Sequence, residues 1–447
     1  MVNISRNNDS KYNVSGYYFE SIVLSSERLA NEIDIKEIVT DVEIYEDINL
    51  PFVTGNIILV DKSKFMNDVD ILGAEKITIL VSSTVEGSKS IEKTFYISRI
   101  LNTIRNDDHI EVVNLEIVED IFYISNLKNV NRYYSGFGTT ILQKLAKSFL
   151  SKEINKVSED SGSMNLIVPN LEPIEALMWI RNRMTTKDGY PFYLFSTFAN
   201  KNLTCVDLGT ILSFVPINKT PYRGYEAAAS SFSPGVQHRV LNGYKFEESE
   251  NMYNLIKKGL IGAEYRYFNT LNENKNKIRF DISKDLFSPL KKSGLLGKQD
   301  QLSFSTDYKV DGQSYNQISS RTITRIGGSG AYRNSPNEYQ KSYDENVLTG
   351  EYKNFIKAKA MSEFLQKMPT TFNIDGPEFI KGDSQYTIGN IISLQFLNSH
   401  INSNSAARRF DSKKSGDYII KSARHIFKRE KYDITVTGVK MGNLRRI

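Results

Sequence analysis

The stretch DYIIKSARHIFKREKYDITVTGVKM, residues 417–441, repeats an earlier one, FYISRILNTIRNDDHIEVVNLEIVE, residues 95–119, without a gap and at one constant offset (Tyr96 to Tyr418). At that offset Ile97 aligns with Ile419, Arg99 with Lys421 and Ile104 with Ile426. Beyond the turn, Ile110 aligns with Tyr432, Glu111 with Asp433 and Val112 with Ile434. Both stretches alternate apolar and polar residues on either side of a polar turn, the pattern of a β-hairpin. Each follows a glycine-led apolar strand, GAEKITILVSS from residue 73 and GNIISLQFLN from residue 389. A meander used twice predicts two related small antiparallel β-barrel domains. A chain with two similar barrels can form a ring of six quasi-equivalent units by trimerising, and such a ring can join sixfold to threefold objects.

The rest of the chain divides around these two hairpins. Residues 1–15 are expected to be a flexible arm, and 16–120 the first β-barrel. There Val39, Asp41, Glu43 and Tyr45 alternate with Thr40, Val42, Ile44 and Glu46, and Pro51 breaks the strand before GNIILVD at 55–61. Residues 121–236 form an α/β middle section. In TTILQKLAKSFLSKE the residues Ile141, Leu142, Leu145, Phe149 and Leu150 make one apolar stripe, with Thr139 and Thr140 as caps. A second helix starts near Asn170 and Glu172, with Pro173 in its first turn, and the strands YPFYLFST and LTCVDL follow. The second β-barrel takes 237–275 and 370–447. Residues 276–369 read as an insertion with a polar loop and the helix EYKNFIKAKAMSEFLQKM, ended by Pro369. The fold class is therefore mixed β and α+β, with two barrels flanking an α/β middle section.

Composition argues against several functions. A net charge of +5 over 447 residues is small for a dedicated nucleic-acid binder. Cys205 is the only cysteine, so no disulfide framework or thiolate metal site is expected, and its strand context marks it as a buried small hydrophobe. His109, His238, His400 and His425 are scattered without ligand spacing. IGGSGAYR at 326–333 lacks the Lys-Ser/Thr ending of a phosphate-binding loop. Asp41 and Glu43, two apart on a strand, share one face, most simply a solvated one. No catalytic, cofactor-binding or metal-binding residue is expected. The polar N-terminus does not read as a signal peptide and no apolar stretch has membrane length, so no stable membrane binding is expected. His425, with Arg424, Lys428, Arg429 and Lys431 around it, is expected at the surface, in a basic rim facing water, a channel or a partner subunit.

Three segments in order resemble the baseplate hub protein of contractile-tailed bacteriophages, a family related to late control protein D and to the N-terminal part of the type VI secretion tip protein VgrG. They are residues 38–83, with their Pro-interrupted strand and ILGxE turn; residues 133–197, with a helix, a VPN segment, a second helix and an aromatic strand; and SGDYIIKSARHIFKREKYDITVTGV at 415–439. The resemblance implies a homotrimeric ring of pseudo-sixfold symmetry in the virion baseplate, assembled in the host bacterial cytoplasm. It further implies a hexameric tail tube on one face, a trimeric central spike on the other, and a lumen that passes DNA. Baseplate wedge proteins and the tape measure protein are further expected partners. With the chain ending at Ile447, the spike is expected on a separate polypeptide. Two alternatives stay open: a tail-associated cell-wall hydrolase using Glu273, Asp281, Asp285 or Glu338, and a type VI or pyocin-like tip protein.

Overall fold

A computed structural model of the chain describes residues 16–29, 31–62, 69, 71–84, 89–107, 110–158, 160, 162–218, 221–224, 241, 243–247, 252–269, 275–287, 300–302, 309–314, 321–327, 352–366, 369–376, 379, 387–396, 410–411, 414–428, 431–440 and 442–444. The expected N-terminal arm and most of the polar loop of the insertion lie outside them.

The first part of the chain is β throughout: β1 (Tyr17–Ser25), β2 (Ile33–Asp34), β3 (Val39–Asp47), β4 (Thr54–Asp61), β5 (Lys76–Ser83), β6 (Ile91–Asp107) and β7 (Ile110–Glu119). Alternation drives these strands. Val42, Ile44, Ile57, Leu59, Ile77, Ile79, Phe95, Ile97, Leu115 and Ile117 are all buried, and residues between them are more open. The middle section holds β8 (Tyr133–Phe137), β9 (Ile154–Lys156), β10 (Ser163–Ile167), β11 (Phe192–Phe195) and β12 (Leu203–Asp207). Among its helices are α1 (Asp120–Ser125), α2 (Gly138–Leu145) and α3 (Pro173–Arg181). They enclose a core of their own around Ile141, Leu142, Leu145, Leu177, Ile180, Leu194 and Cys205. Pro173 and a Glu172–Glu175 capping box start α3, as the sequence suggests. Helix α2 differs: it begins at Gly138, and Asp160, not a threonine, accepts from the Gly138 N–H at 2.5 Å and the Thr139 hydroxyl at 3.0 Å. A carboxylate from a following loop has displaced the local cap.

The chain then returns to β through β13 (Tyr222–Arg223), β14 (Gly243–Phe246), β15 (Ala263–Asn269), β16 (Lys275–Arg279), β17 (Asp300–Leu302), β18 (Lys309–Val310), β19 (Gln313–Ser314) and β20 (Arg321–Gly327). Helix α4 (Tyr352–Leu365) precedes β21 (Thr370–Asp375), β22 (Ile391–Gln395), β23 (Gly416–Lys428), β24 (Lys431–Val439) and β25 (Gly442–Leu444). Strands β15, β16 and β20 form a separate small sheet, while β14 joins the main one.

That main sheet has thirteen strands in the order β14-β21-β24-β23-β3-β4-β7-β6-β5-β1-β2, with β22 and β13 attached beside β23. The expectation of two closed barrels is corrected here. Among the described residues the strands of both halves make one open, continuous sheet. Strand β3 spends one edge on β4 and the other on β23, from Ser422↔Asp47 to Lys428↔Asp41, so those edges join the halves and do not close each half on itself. The sheet curls over one continuous core, and Tyr17 of β1 packs on Phe427 and Tyr432 of the last hairpin.

The repeat is structural. In the first hairpin Ile97 faces Ile117 and, after a bulge, Arg99 faces Glu116. In the second, Ile419 faces Val439 and, after a bulge, Ser422 faces Thr437. At the sequence offset Ile97↔Ile117 matches Ile419↔Val439 and Ile100↔Leu115 matches Ser422↔Thr437; beyond that β6 has two further bulges that β23 lacks, and the registers part, at the first of them by one residue. The glycine-led strands take the same place, with Lys76 beside Tyr96 and Ile392 beside Tyr418. Gly73 and Gly389 enter those strands at φ of +96° and +79°, a backbone region that favours glycine.

Candidate functional site: the seam between the two halves

The pairing of β3 with β23 brings the sequence-predicted basic group to the junction of the halves and splits it by face. The bulge between Ile420 and Ser422 inserts one residue, so Ala423, His425 and Phe427 turn inward while Arg424 and Lys428 turn outward. His425, expected at the surface, is 1% exposed. The bulge is the reason, because it reverses the alternation that a plain reading of the strand carries through from Tyr418.

On the inner face His425 Nδ1 shares a hydrogen bond with the Tyr432 hydroxyl at 2.7 Å, and Nε2 lies 3.5 Å from Glu46 Oε2. The other Glu46 oxygen accepts from the Phe198 N–H. Burial pushes the Glu46 carboxyl up, but His425 and the bonds from Phe198 and Thr387 outweigh it and hold the group below its ordinary value. Burial, with Glu46 and Tyr17 nearby, raises Tyr432 well above an ordinary phenol. Around this pair stand aromatic rings, with Phe427 stacked on Tyr432 at 4.3 Å between centroids and Phe198 6.0 Å from His425. The Tyr17 hydroxyl donates to the Lys428 carbonyl, so the first described strand closes over the hairpin.

A buried charge pair lies beside this cluster. Lys93 Nζ is 2.6 Å from Glu119 Oε1 and donates to Ser196 Oγ at 3.0 Å and to the Thr197 and Asn200 carbonyls, both at 2.9 Å. Glu119 also accepts from the Val53 N–H and the Ser196 hydroxyl. The turn after β11 is thus gripped from two sides, by Lys93–Glu119 and by Glu46–His425. The middle section is thereby held to the sheet at the point where the two halves meet. The sequence carries only weak signals for this cluster: Glu46 and Glu119 end strands whose alternation looks ordinary, and Lys93 opens one.

On the outer face Arg424 Nη2 donates to both carboxylate oxygens of Glu43, at 2.6 and 2.7 Å, and lies over the Tyr45 ring at 5.5 Å. Burial raises the Glu43 carboxyl, but bonds from Tyr45 and Arg424 and the nearby cations hold it below its usual value. Glu43 is thus a structural partner on a half-open face. Lys428 is exposed, and Lys431, 60% exposed, pairs with Asp433 at 2.9 Å. Arg429 lies outside the described residues, as do His109, His238 and His400. Of the carboxylates considered for hydrolysis, Glu273 and Glu338 lie outside the described residues, and Asp285 accepts from the Asp281 N–H at 2.9 Å within one turn. Cys205 is buried in the middle core. No helix among the described residues is long and apolar enough to cross a membrane.

No protein-family model and no curated protein sequence matches the chain. Solved structures match it in fold. The tail protein from Neisseria meningitidis MC58 superposes with a TM-score of 0.50 at 9% identity, over 95% of this chain and 97% of that one. The 43 kDa tail protein of prophage MuSo2 from Shewanella oneidensis gives 0.49 at 9% identity, over 94% and 98% of the two chains. The E. coli c3393 protein, a type VI secretion component similar to the bacteriophage T4 tail proteins gp27 and gp5, gives 0.41 at 9% identity, over 95% and 79%. The Neisseria likeness gives the chain a tail-protein fold along nearly its whole length.

Proposed function

We propose that this chain is a structural virion protein, the central hub of a contractile-tail baseplate. As a homotrimer it joins a hexameric tail tube to a trimeric spike, and its lumen continues the tail channel for DNA. Wedge proteins and the tape measure protein are further contacts in the assembled baseplate. It catalyses no reaction and needs no cofactor. The observation that carries the hub role within the tail-protein fold is the doubled meander with one strand order. Two equivalent hairpins per chain give six in a trimer, which is what matching a sixfold face to a threefold face requires. The buried Glu46–His425 and Lys93–Glu119 contacts suit this role, since they fix the relation of the halves and supply no open reactive group.

The test is molar mass in solution by light scattering, for the protein alone and mixed with a candidate trimeric spike protein. A trimer in either condition is the expected result, and a stable monomer in both would remove the hub reading. A cell-wall degradation assay on the same preparation is expected to give no activity.

A further inference from the structure

Strand β23 is paired along its whole length and β6, its counterpart, is not. On one edge each strand pairs with its hairpin partner, β24 or β7. On the other edge β22 covers Gly416–Ile419 of β23, and β3 covers Ser422–Lys428. For β6, β5 covers Ile91–Tyr96, and the Ile97 N–H still reaches the Glu75 carbonyl at 2.9 Å. Beyond that, no strand among the described residues pairs with that edge. At the repeat offset, the stretch of β23 that β3 covers corresponds to residues 100–106 of β6. Residues 99–105 are all exposed, Ile100, Leu101 and Ile104 at 41%, 38% and 53%. An exposed strand edge with apolar side chains is a pairing site unless something covers it.

The same correspondence names what would cover it. The order β5-β6-β7-β4-β3 in the first half is matched by β22-β23-β24-β21-β14 in the second, with every adjacent pair antiparallel. Strand β14 is therefore the counterpart of β3, the strand that covers β23. It ends the sheet, pairing with β21 on one edge and with no described strand on the other. Its Tyr244 is 48% exposed, beside Phe246 at 5.6 Å between rings.

We infer that β14 of one copy pairs antiparallel with residues 100–106 of β6 in the next copy, repeating between chains the β3–β23 seam within each chain. Carrying the seam's register across by the sequence offset sets Phe246 opposite Ile104, and carrying it through the hairpin pairing, where β6 has an added bulge between Ile100 and Asn102, sets Phe246 opposite Arg105. The contact is heterologous, one end of the sheet to the other, so it propagates head to tail and closes into a ring when the rotation allows. The inference rests on the hub reading for the number of copies, and it assigns the surface through which they meet.

Variants with one cysteine added to the buried Cys205, in separately tagged chains, test it, one chain carrying Phe246→Cys and the other Thr103→Cys, Ile104→Cys or Arg105→Cys in turn. Mixed and oxidised, they should give a disulfide between the two tags for at least one of the three positions, while each variant alone gives none. Ile104→Lys, at an exposed site, should leave circular dichroism unchanged and weaken self-association about tenfold or more. If the protein is trimeric but no pair cross-links and Ile104→Lys leaves the mass unchanged, the interface lies elsewhere: the inference fails and the hub reading stands. If the cross-link forms but the chains grow into open filaments, the edge pairing holds and the hub reading fails. A monomer with and without spike protein removes both.

Discussion

His425 and Glu46 face each other at 3.5 Å, Nε2 to Oε2, both sealed from solvent on the inner face of the strand pair that unites the first and last parts of the chain. Glu46 also binds the Phe198 N–H, so one carboxylate serves three parts of the sequence. Removing Glu46 leaves the Phe198 N–H and the His425 ring without their buried partner, and a buried donor left unsatisfied costs about 1–3 kcal/mol. Glu46→Ala should therefore lower unfolding stability by that amount in urea titration. Glu46→Gln, which keeps an acceptor for Phe198, should cost clearly less. Equal stability of Glu46→Ala and the parent protein would show that the pair does not hold the seam.

The outer face of the same strands gives the opposite expectation. Arg424 binds Glu43 through two short bonds, yet its side chain is 45% exposed. Ion pairs open to water contribute about 0–1 kcal/mol, since solvent screens them and the side chains lose freedom. Arg424→Ala should change stability by less than about 1 kcal/mol. A loss as large as that of Glu46→Ala would contradict this division between faces.

Acid should unfold the protein through a defined set of carboxyls. Glu43, Glu46, Glu75 and Glu116 are all held below their ordinary values, by His425, Arg28, Arg99, Arg424 and hydrogen bonds that outweigh burial, or for Glu116 by Arg99 foremost. Between the lowered folded value and the unfolded value near ~4.3 the unfolded chain binds more protons, so stability rises with pH there. The contribution is complete above the unfolded value and is lost as pH falls through the folded ones. Urea midpoints measured from pH 7 down to pH 3 should hold through the neutral range and drop below about pH 4.5. In Glu46→Gln the drop should be shallower, and an unchanged slope would exclude Glu46 from the set.

Close packing of backbone explains a further sensitivity. Ile44 and Gly55 face each other across β3 and β4, and a Cβ on Gly55 would meet the Glu43 carbonyl and sit 2.9 Å from Ile44 Cδ1. Gly55→Val forces the central strands apart, which overpacking costs put at about 1–3 kcal/mol. Thermal unfolding is the simplest reading, and an unshifted midpoint would show that β3 and β4 have room to give.

The hairpins, the helix starts and the buried cysteine were legible because alternation, Pro173 and strand context are local signals. The repeat between residues 95–119 and 417–441 gave the equivalence of the two hairpins, though not the extra bulges that shift the far end of β6. What local pattern does not carry is the destination of an edge. Whether β3 closes on its own half or pairs with β23 depends on side chains far away in sequence, among them Arg424 with Glu43 and His425 with Glu46. The burial of His425 was hidden by a single inserted residue at the bulge, and the capping of α2 by Asp160 came from a loop outside the helix.

Lys93 supplies the last expectation. Its ammonium is 4% exposed, lies 2.6 Å from Glu119 and donates to Ser196, Thr197 and Asn200. Lys93→Met keeps the stem's volume and deletes the charge. Glu119 retains bonds from Val53 and Ser196, with Lys152 at 4.0 Å, so its charge stays partly compensated. The Asn200 carbonyl loses the Lys93 donor, and the Thr197 carbonyl keeps only the long bond from the Asn200 N–H at 3.4 Å. The loss should therefore appear globally as about 1–3 kcal/mol and locally as faster hydrogen exchange at residues 196–203. Faster exchange confined to that turn, with global stability intact, would show that Lys93 orders the turn without fastening the middle section to the sheet. Protection unchanged in both measures would mean that Glu46 and the aromatic contacts of Phe198 hold the turn alone.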